Sequence, residues 1–222
     1  MLITTQLSKR FYATLILSCV FLIVTNILVK GSFINLLAGL SGVLYAFFAG
    51  ERQTICFVFG LVYNLSYAYV AYQWKLNADV ILCLFLYMPV TIYGLFAWKK
   101  TEQHEGVIKA QKLPKNWRFI LILGIGVLTY VSALFFKEIK TNFLWAESFN
   151  FVIFIIAFIL QVLRYMESYV LMTLGNIVSI IVWFCIFQIS TESLVQLFTT
   201  ILYLFIGLYY FNRWNQSCKQ RS

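Results

Sequence analysis

Eight long apolar runs, separated by short polar stretches, set the pattern of this chain. A membrane-spanning helix needs roughly 20 apolar residues to cross a hydrocarbon core about 30 Å thick, and each run is close to that length. Strands of a membrane barrel would instead alternate polar and apolar residues over about 10 positions. The pattern predicts an all-α integral membrane protein with eight transmembrane helices. The runs are Phe11–Val29, Phe33–Ala49, Thr54–Tyr72, Val80–Trp98, Phe119–Phe136, Phe143–Leu163, Tyr169–Ile189 and Leu194–Phe211.

Composition agrees with this pattern, since 62% of the residues are hydrophobic and only 11% are charged. Such a chain cannot present an ordinary water-exposed surface. Lys9 and Arg10 precede the first run as the basic region of a signal peptide would. The run is longer than a signal core, however, and no A-x-A-like cleavage site follows Val29. We therefore expect the first run to be a span as well.

Positive charge is divided unequally between the two sets of loops that eight spans create. Thirteen Lys and Arg residues fall on the side of both termini and four on the other side, so both termini are expected in the cytoplasm. The net charge of +9 follows from this bias, and no nucleic acid partner is expected.

Two stretches, residues 33–100 and 143–214, align with each other as three spans each. Gly60 pairs with Gly175, and Asp79 pairs with Glu192. A single linker span separates the triplets, so both enter the membrane in the same direction and form parallel repeats around a central site. The expected parts of this single membrane domain are an extra N-terminal helix (1–32), the first repeat (33–100), a cytoplasmic loop and linker helix (101–142), the second repeat (143–214) and a cytoplasmic tail (215–222).

Polar and aromatic side chains inside the spans are the candidates for substrate contact. Polar groups in hydrocarbon usually face protein or a water-filled cavity, although amides also hold helices together without binding a ligand. The seventh span carries a stripe at steps of three and four residues, which places its members on one helical face. The predicted substrate-binding residues are Asn64, Tyr67, Asn150, Gln161, Tyr169, Met172, Asn176, Ser179 and Trp183.

Chemistry beyond binding is not indicated. His104 is the single histidine, the five cysteines have no paired spacing, and no phosphate-binding loop is present, so we expect no metal site, no cofactor and no enzyme. Glu147 and Glu167 are expected at opposite ends of one helix, roughly 30 Å apart, which prevents paired acid–base work. Pro89 removes a backbone hydrogen bond from the fourth span and predicts a kink that is either static or a hinge.

One segment resembles a known family. It reads Arg164, two residues, Glu167, one residue, Tyr169, two residues, Met172, three residues and Asn176. The signature of the bacterial Pnu vitamin transporters has a basic residue, Glu and W-x-x-W-x-x-x-N in the same register. The basic residue, the glutamate and the asparagine match, whereas Tyr169 and Met172 replace the two tryptophans. The family is best known for PnuC-type nicotinamide riboside carriers.

The resemblance implies a SWEET-like seven-helix core in a 3+1+3 arrangement and a place in the bacterial inner membrane. It also implies vitamin uptake by facilitated diffusion, with a cytoplasmic kinase trapping the vitamin as its phosphate. Nicotinamide riboside is the expected substrate; thiamine is an alternative, and riboflavin a weaker one. A channel or membrane scaffold is an alternative of another class. Homo-oligomer formation is left open.

Overall fold

The computed structural model describes residues 7–105 and 109–219. The side chain of His104 and the tail residue Arg221 lie outside the described part of the chain. Each of the eight apolar runs forms a helix whose ends lie within several residues of the predicted ends. These helices are α1 (Lys9–Leu28), α2 (Phe33–Gly50), α3 (Cys56–Gln73), α4 (residues 77–105), α5 (Lys115–Ile139), α6 (Leu144–Val162), α7 (Glu167–Phe187) and α8 (Leu194–Lys219).

Among the described residues, seven helices are long and apolar enough to cross a membrane; α3 does not meet that standard. Its polar character comes from a set of tyrosines and from Asn64, which is buried. Helix α3 packs against both α2 and α4. The protein interior, rather than lipid, therefore satisfies much of the polar surface of α3.

Helix α4 contains a segment of wider winding. It begins as an α-helix over Asn77–Ile81, becomes a π-helix over Leu82–Tyr87 and resumes as an α-helix over Met88–Glu105. Pro89 lies just after the π-helical segment and has no N–H to donate to the carbonyl of Phe85. A π-helical segment accommodates such a missing bond by shifting the pairing by one residue. The sequence-predicted irregularity at Pro89 thus takes the form of a local change in winding.

The helices are arranged as two triplets, with α2, α3 and α4 in one and α6, α7 and α8 in the other. Helix α2 packs against α8, and α4 packs against α6, which creates two seams between the triplets. Helix α1 lies against α2 and α8, while α5 lies mainly against α6. Both α1 and α5 therefore lie at the periphery of the six-helix arrangement.

Candidate functional site

An internal cavity of about 130 Å³ lies between the two triplets. All six triplet helices contribute side chains to its wall, and neither α1 nor α5 does. The extra N-terminal helix and the linker helix thus lie away from the cavity. Both repeats of the chain therefore contribute to the cavity wall.

Seven of the nine residues predicted from the sequence to contact substrate line this cavity, namely Asn64, Tyr67, Gln161, Tyr169, Met172, Asn176 and Ser179. The other two lie directly behind the wall. The Asn150 Nδ2 atom donates a hydrogen bond of 2.9 Å to Ser179 Oγ. The Trp183 ring packs edge-on against Tyr67, with 6.2 Å between the ring centroids. Asn150 and Trp183 therefore support the positions of two lining residues.

Two repeat-related glycines allow aromatic rings to come close to the helix backbones around the cavity. A Cβ atom at Gly60 would lie 3.1 Å from the Tyr45 ring and 3.3 Å from the Thr91 methyl group. At Gly175, the partner of Gly60 in the second repeat, a Cβ atom would lie 2.6 Å from the Phe154 ring. A side chain at Gly175 would force the Phe154 ring to move, and one at Gly60 would crowd Tyr45 and Thr91, which gives the sequence match of the two glycines a physical basis.

A hydrogen bond between two lining residues joins the triplets across the cavity. The Tyr45 hydroxyl, on α2, donates to Gln161 Oε1, on α6, at 2.5 Å. Within the first triplet, Asn64 Nδ2 donates to Thr91 Oγ1 at 3.1 Å. These bonds fix the orientations of the Gln161 and Asn64 side-chain amides, because each amide has a hydrogen-bond partner in the protein.

Three other polar groups of the wall remain open. The hydroxyls of Tyr169 and Tyr203 are buried, and neither makes a hydrogen bond of normal geometry to a described residue. The Asn176 side chain lines the cavity with 6% of its surface exposed, and no hydrogen bond joins it to another described side chain. Unpaired buried polar groups are costly, so groups of this kind point to a bound polar partner.

Tyrosines dominate the aromatic part of the wall; six contribute to it, namely Tyr45, Tyr63, Tyr67, Tyr87, Tyr169 and Tyr203. The rings of Tyr63 and Tyr67 stack with their centroids 5.1 Å apart. Sequence reasoning found only two of the six, because aromatic residues in this chain are also abundant at the lipid-facing surface. The spacing of Gly60, Tyr63, Asn64 and Tyr67 on one face of α3 would have identified Tyr63.

Asp79 was missed as a candidate because it falls just outside the predicted fourth span. In the structure it lies in the first turn of α4 and lines the cavity. The Tyr67 hydroxyl donates a hydrogen bond of 2.8 Å to Asp79 Oδ2. Glu147 lies nearby, outside the lining. Its buried carboxylate faces the N–H groups of Ala78 and Asp79 and accepts a 3.3 Å bond from the Thr141 hydroxyl.

At one end of the cavity, both seams are closed by tryptophans. Trp98 Nε1 donates to the Val162 carbonyl across the α4–α6 seam, and Trp214 Nε1 donates to the Gly50 carbonyl across the α2–α8 seam, each at 2.9 Å. The Glu51 carboxylate adds an ion pair with Arg213 at the second seam.

Polar contacts close the α2–α8 seam at the opposite end. The Ser32 N–H donates to Glu192 Oε1 at 2.8 Å, and Asn35 Nδ2 donates to the Glu192 carbonyl at 2.9 Å. Gln196 Nε2 in turn donates to Asn35 Oδ1 at 2.5 Å. Glu192, the repeat partner of Asp79, therefore lies at a seam rather than in the cavity.

The remaining signature residues organise the loop between α4 and α5 instead of lining the cavity. Glu167 pairs with Arg118 at 2.7 Å and accepts a 3.0 Å bond from the Leu113 N–H. The Arg164 carbonyl accepts from the Gln111 N–H at 2.8 Å. Within the described residues, no group of three His, Cys, Asp or Glu side chains is arranged to hold a metal ion.

Apolar spans around a polar, aromatic cavity between two helical triplets define a multi-pass membrane transporter. The model of the family described as nicotinamide mononucleotide transporter matches residues 32–216. The chain belongs to this family.

Similar proteins include the nicotinamide riboside transporters PnuC of Neisseria mucosa and Haemophilus influenzae, each 27% identical to this chain. The alignments cover 86% of this chain and 75% of the Neisseria protein, and 85% of this chain and 82% of the Haemophilus protein. The crystal structure of the vitamin B3 transporter PnuC matches with a TM-score of 0.86 at 25% identity, over 97% of this chain and 94% of that one. These matches confirm the predicted family and the predicted helical fold.

Proposed function

We propose that the protein carries nicotinamide riboside across the bacterial inner membrane, with both termini in the cytoplasm. Its relatives named for that substrate and the shared fold support the proposal. The observation that carries it is the set of open polar groups, namely the hydroxyls of Tyr169 and Tyr203 and the Asn176 amide, in a cavity whose wall is rich in aromatic rings. An amide both donates and accepts, which suits ribose hydroxyls or a carboxamide, and ring faces stack on a planar ring.

The charge of the cavity wall favours the riboside over its phosphorylated form. Among the described lining residues there is no Lys, Arg or His, and the one carboxylate is Asp79. Phosphate groups are normally held by Arg, Lys or several backbone N–H groups. A nucleotide phosphate would therefore meet no cationic partner in this wall. Exclusion of the phosphate supports the proposed trapping of the vitamin by a cytoplasmic kinase, since the phosphorylated product does not return through the cavity.

Transport follows from rearrangement of the two triplets within one membrane domain. The polar contacts at the two ends of the seams open in turn, and the cavity faces each side of the membrane alternately. The riboside moves down its concentration gradient into the cell, and the kinase maintains that gradient by phosphorylating the riboside that enters. The proposed mechanism is therefore facilitated diffusion.

Titration calorimetry on the purified protein tests the substrate. Nicotinamide riboside, thiamine, riboflavin and the phosphorylated form of each are compared. We expect nicotinamide riboside to bind most tightly, and its phosphate to bind at least about tenfold more weakly because of the missing cation. Tighter binding of thiamine would show that thiamine, and not nicotinamide riboside, is the substrate. That alternative is favoured by Met172, which lines the cavity at a position where the family signature has tryptophan. Equal binding of riboside and mononucleotide would contradict the trapping mechanism.

Uptake into liposomes separates a carrier from a channel. A carrier has a limited number of sites, so the initial rate of riboside uptake reaches a maximum and unlabelled riboside competes. Flux that rises in proportion to concentration, without competition, would identify a channel.

A further inference from the structure

Asp79 is the one carboxylate among the described residues that line the cavity. Its carboxylate is largely withdrawn from solvent, with 8% of the residue surface exposed. No salt bridge joins it to a described Lys or Arg; the described pairs are Arg118 with Glu167 and Arg213 with Glu51. A buried carboxylate without a cation is costly. When it is ionised, Asp79 therefore places in the cavity wall a negative charge that no described Lys or Arg neutralises.

The position of this carboxylate is fixed by Tyr67. The Tyr67 hydroxyl donates to Asp79 Oδ2 at 2.8 Å, while its ring stacks on Tyr63 and meets the edge of Trp183. A phenol held on both sides of its ring has little rotational freedom. Tyr67 therefore holds the charge of Asp79 at one place on the wall, beside the face of an aromatic ring.

A purely structural role for Asp79 would be to stabilise the N-terminus of α4, because an acid in the first turn interacts favourably with the helix dipole. Another residue already stabilises the N-terminus of α4. The buried Glu147 carboxylate faces the N–H groups of Ala78 and Asp79. Asp79 instead directs one oxygen to Tyr67 at the cavity wall. Stabilisation of the helix N-terminus thus explains the position of Glu147. It does not explain the position of Asp79, which faces the cavity.

We infer that Asp79, oriented by Tyr67, is the counter-charge for a permanently cationic aromatic ring, and that the charge of the ring determines which solutes are carried. The inference rests on the proposed function, because the ring nitrogen of nicotinamide riboside is bonded to ribose and carries a positive charge. Tyrosine faces add a second attraction, since a cation is drawn to the face of an aromatic ring. The wall therefore selects a ring by charge as well as by shape.

The sharpest probe is a pair of ligands that differ in ring charge. Nicotinamide riboside is cationic, and its reduced dihydro form has nearly the same size and the same ribose and carboxamide groups but a neutral ring. Both are titrated calorimetrically into wild-type protein and into Asp79→Asn. Asparagine keeps the volume and still accepts the Tyr67 hydrogen bond. We expect wild-type protein to prefer the cationic form by about tenfold or more, and Asp79→Asn to lose most of that preference.

Two further variants complete the test. Asp79→Glu retains the negative charge and is expected to retain the preference for the cationic ring. Glu138→Gln makes the same change of net charge at an exposed position on α5 and is expected to leave both affinities unchanged. Equal binding of the two riboside forms by wild-type protein, or an unchanged preference in Asp79→Asn, overturns the inference while the proposed function stands.

Failure of the substrate assignment gives a different result. If wild-type protein binds thiamine, whose thiazolium ring is also cationic, but not nicotinamide riboside, the proposed substrate is wrong. The inference is then tested with thiamine. A fall of at least about tenfold in the affinity of Asp79→Asn for thiamine supports the inference, and an unchanged affinity overturns it. If wild-type protein binds neither cationic ring, the inference is overturned together with the proposed function.

Discussion

The indole nitrogen of Trp98 donates a hydrogen bond of 2.9 Å to the carbonyl oxygen of Val162. The same relationship recurs at the other seam, where Trp214 donates at 2.9 Å to Gly50. Both acceptors lie at the last residue of a helix, where backbone carbonyls have no partner within the helix. Each tryptophan thus joins the end of one triplet to the end of the other, and the two seams are closed in a related way.

Replacing either tryptophan by phenylalanine tests this relationship. Trp98→Phe and Trp214→Phe keep an aromatic ring but remove the N–H donor, which leaves a buried carbonyl unpaired. We expect each change to lower the free energy of unfolding by about 1–3 kcal/mol. Thermal unfolding of the purified protein in detergent measures the effect as a lower melting temperature.

Trp117→Phe is the matched control, because Trp117 lies at the start of α5 with 58% of its surface exposed. Its melting temperature should stay close to that of the wild-type protein. An unchanged melting temperature in Trp98→Phe or Trp214→Phe would show that these bonds do not hold the seams together.

The unpaired hydroxyl of Tyr169 makes a second prediction. In Tyr169→Phe, the ring contact with Trp214 remains, whereas the hydroxyl without a described partner is removed. Loss of an unpaired buried hydroxyl should leave the melting temperature unchanged or slightly raised. Affinity for nicotinamide riboside should fall by about threefold to tenfold, because a hydrogen bond to the ligand is lost. Unchanged affinity would remove Tyr169 from the set of ligand-binding groups.

Glu167 is predicted to act on stability and not on binding. Its carboxylate bonds Arg118 and the Leu113 N–H outside the cavity. Glu167→Gln should destabilise the protein by about 1 kcal/mol and leave the affinity for nicotinamide riboside unchanged. Arg118→Ala should have a similar effect, and the double variant should lose less than the sum of the two changes. A fall in affinity with an unchanged melting temperature would assign Glu167 to recognition instead.

Pro89→Ala addresses the π-helical segment of α4. Alanine restores the N–H that bonds the carbonyl four residues earlier, which favours regular α-helical winding. Regular winding would rotate Leu82, Cys83 and Tyr87, all of which line the cavity. We expect weaker binding of nicotinamide riboside, by at least about threefold, in a protein that remains folded. Calorimetry together with circular dichroism measures both quantities; unchanged affinity would mean that the winding of α4 does not shape the cavity.

The fold was readily predicted from the sequence because the bilayer imposes a simple rule on length and hydrophobicity. Each predicted run forms a helix, and even the polar α3 was found, since its mixture of tyrosines and small residues still forms a run of sufficient length. The π-helical winding before Pro89 was not predicted, because a proline shows that a bond is missing but not how the helix accommodates it.

The site was predicted less completely. Residues of α7 were found because helical spacing alone places Tyr169, Met172 and Asn176 on one face. Asn64 and Tyr67 of the first repeat were found in the same way, because they lie one turn apart on α3, and both line the cavity. Asp79 was missed because it falls just outside the predicted fourth span, and its place in the cavity wall depends on the packing of α4 against α3 and α6, which no local pattern encodes.

Asn176 lies in the wall of the cavity between the triplets, and its replacement tests whether this cavity is the binding site for nicotinamide riboside. Calorimetric titration compares wild-type protein with Asn176→Ala, and with Asn212→Ala as a control at an exposed position on α8. We expect Asn176→Ala to weaken binding about tenfold, because an amide hydrogen bond to the ligand is lost, and Asn212→Ala to bind like the wild-type protein. Equal affinity in all three proteins would contradict this assignment of the binding site.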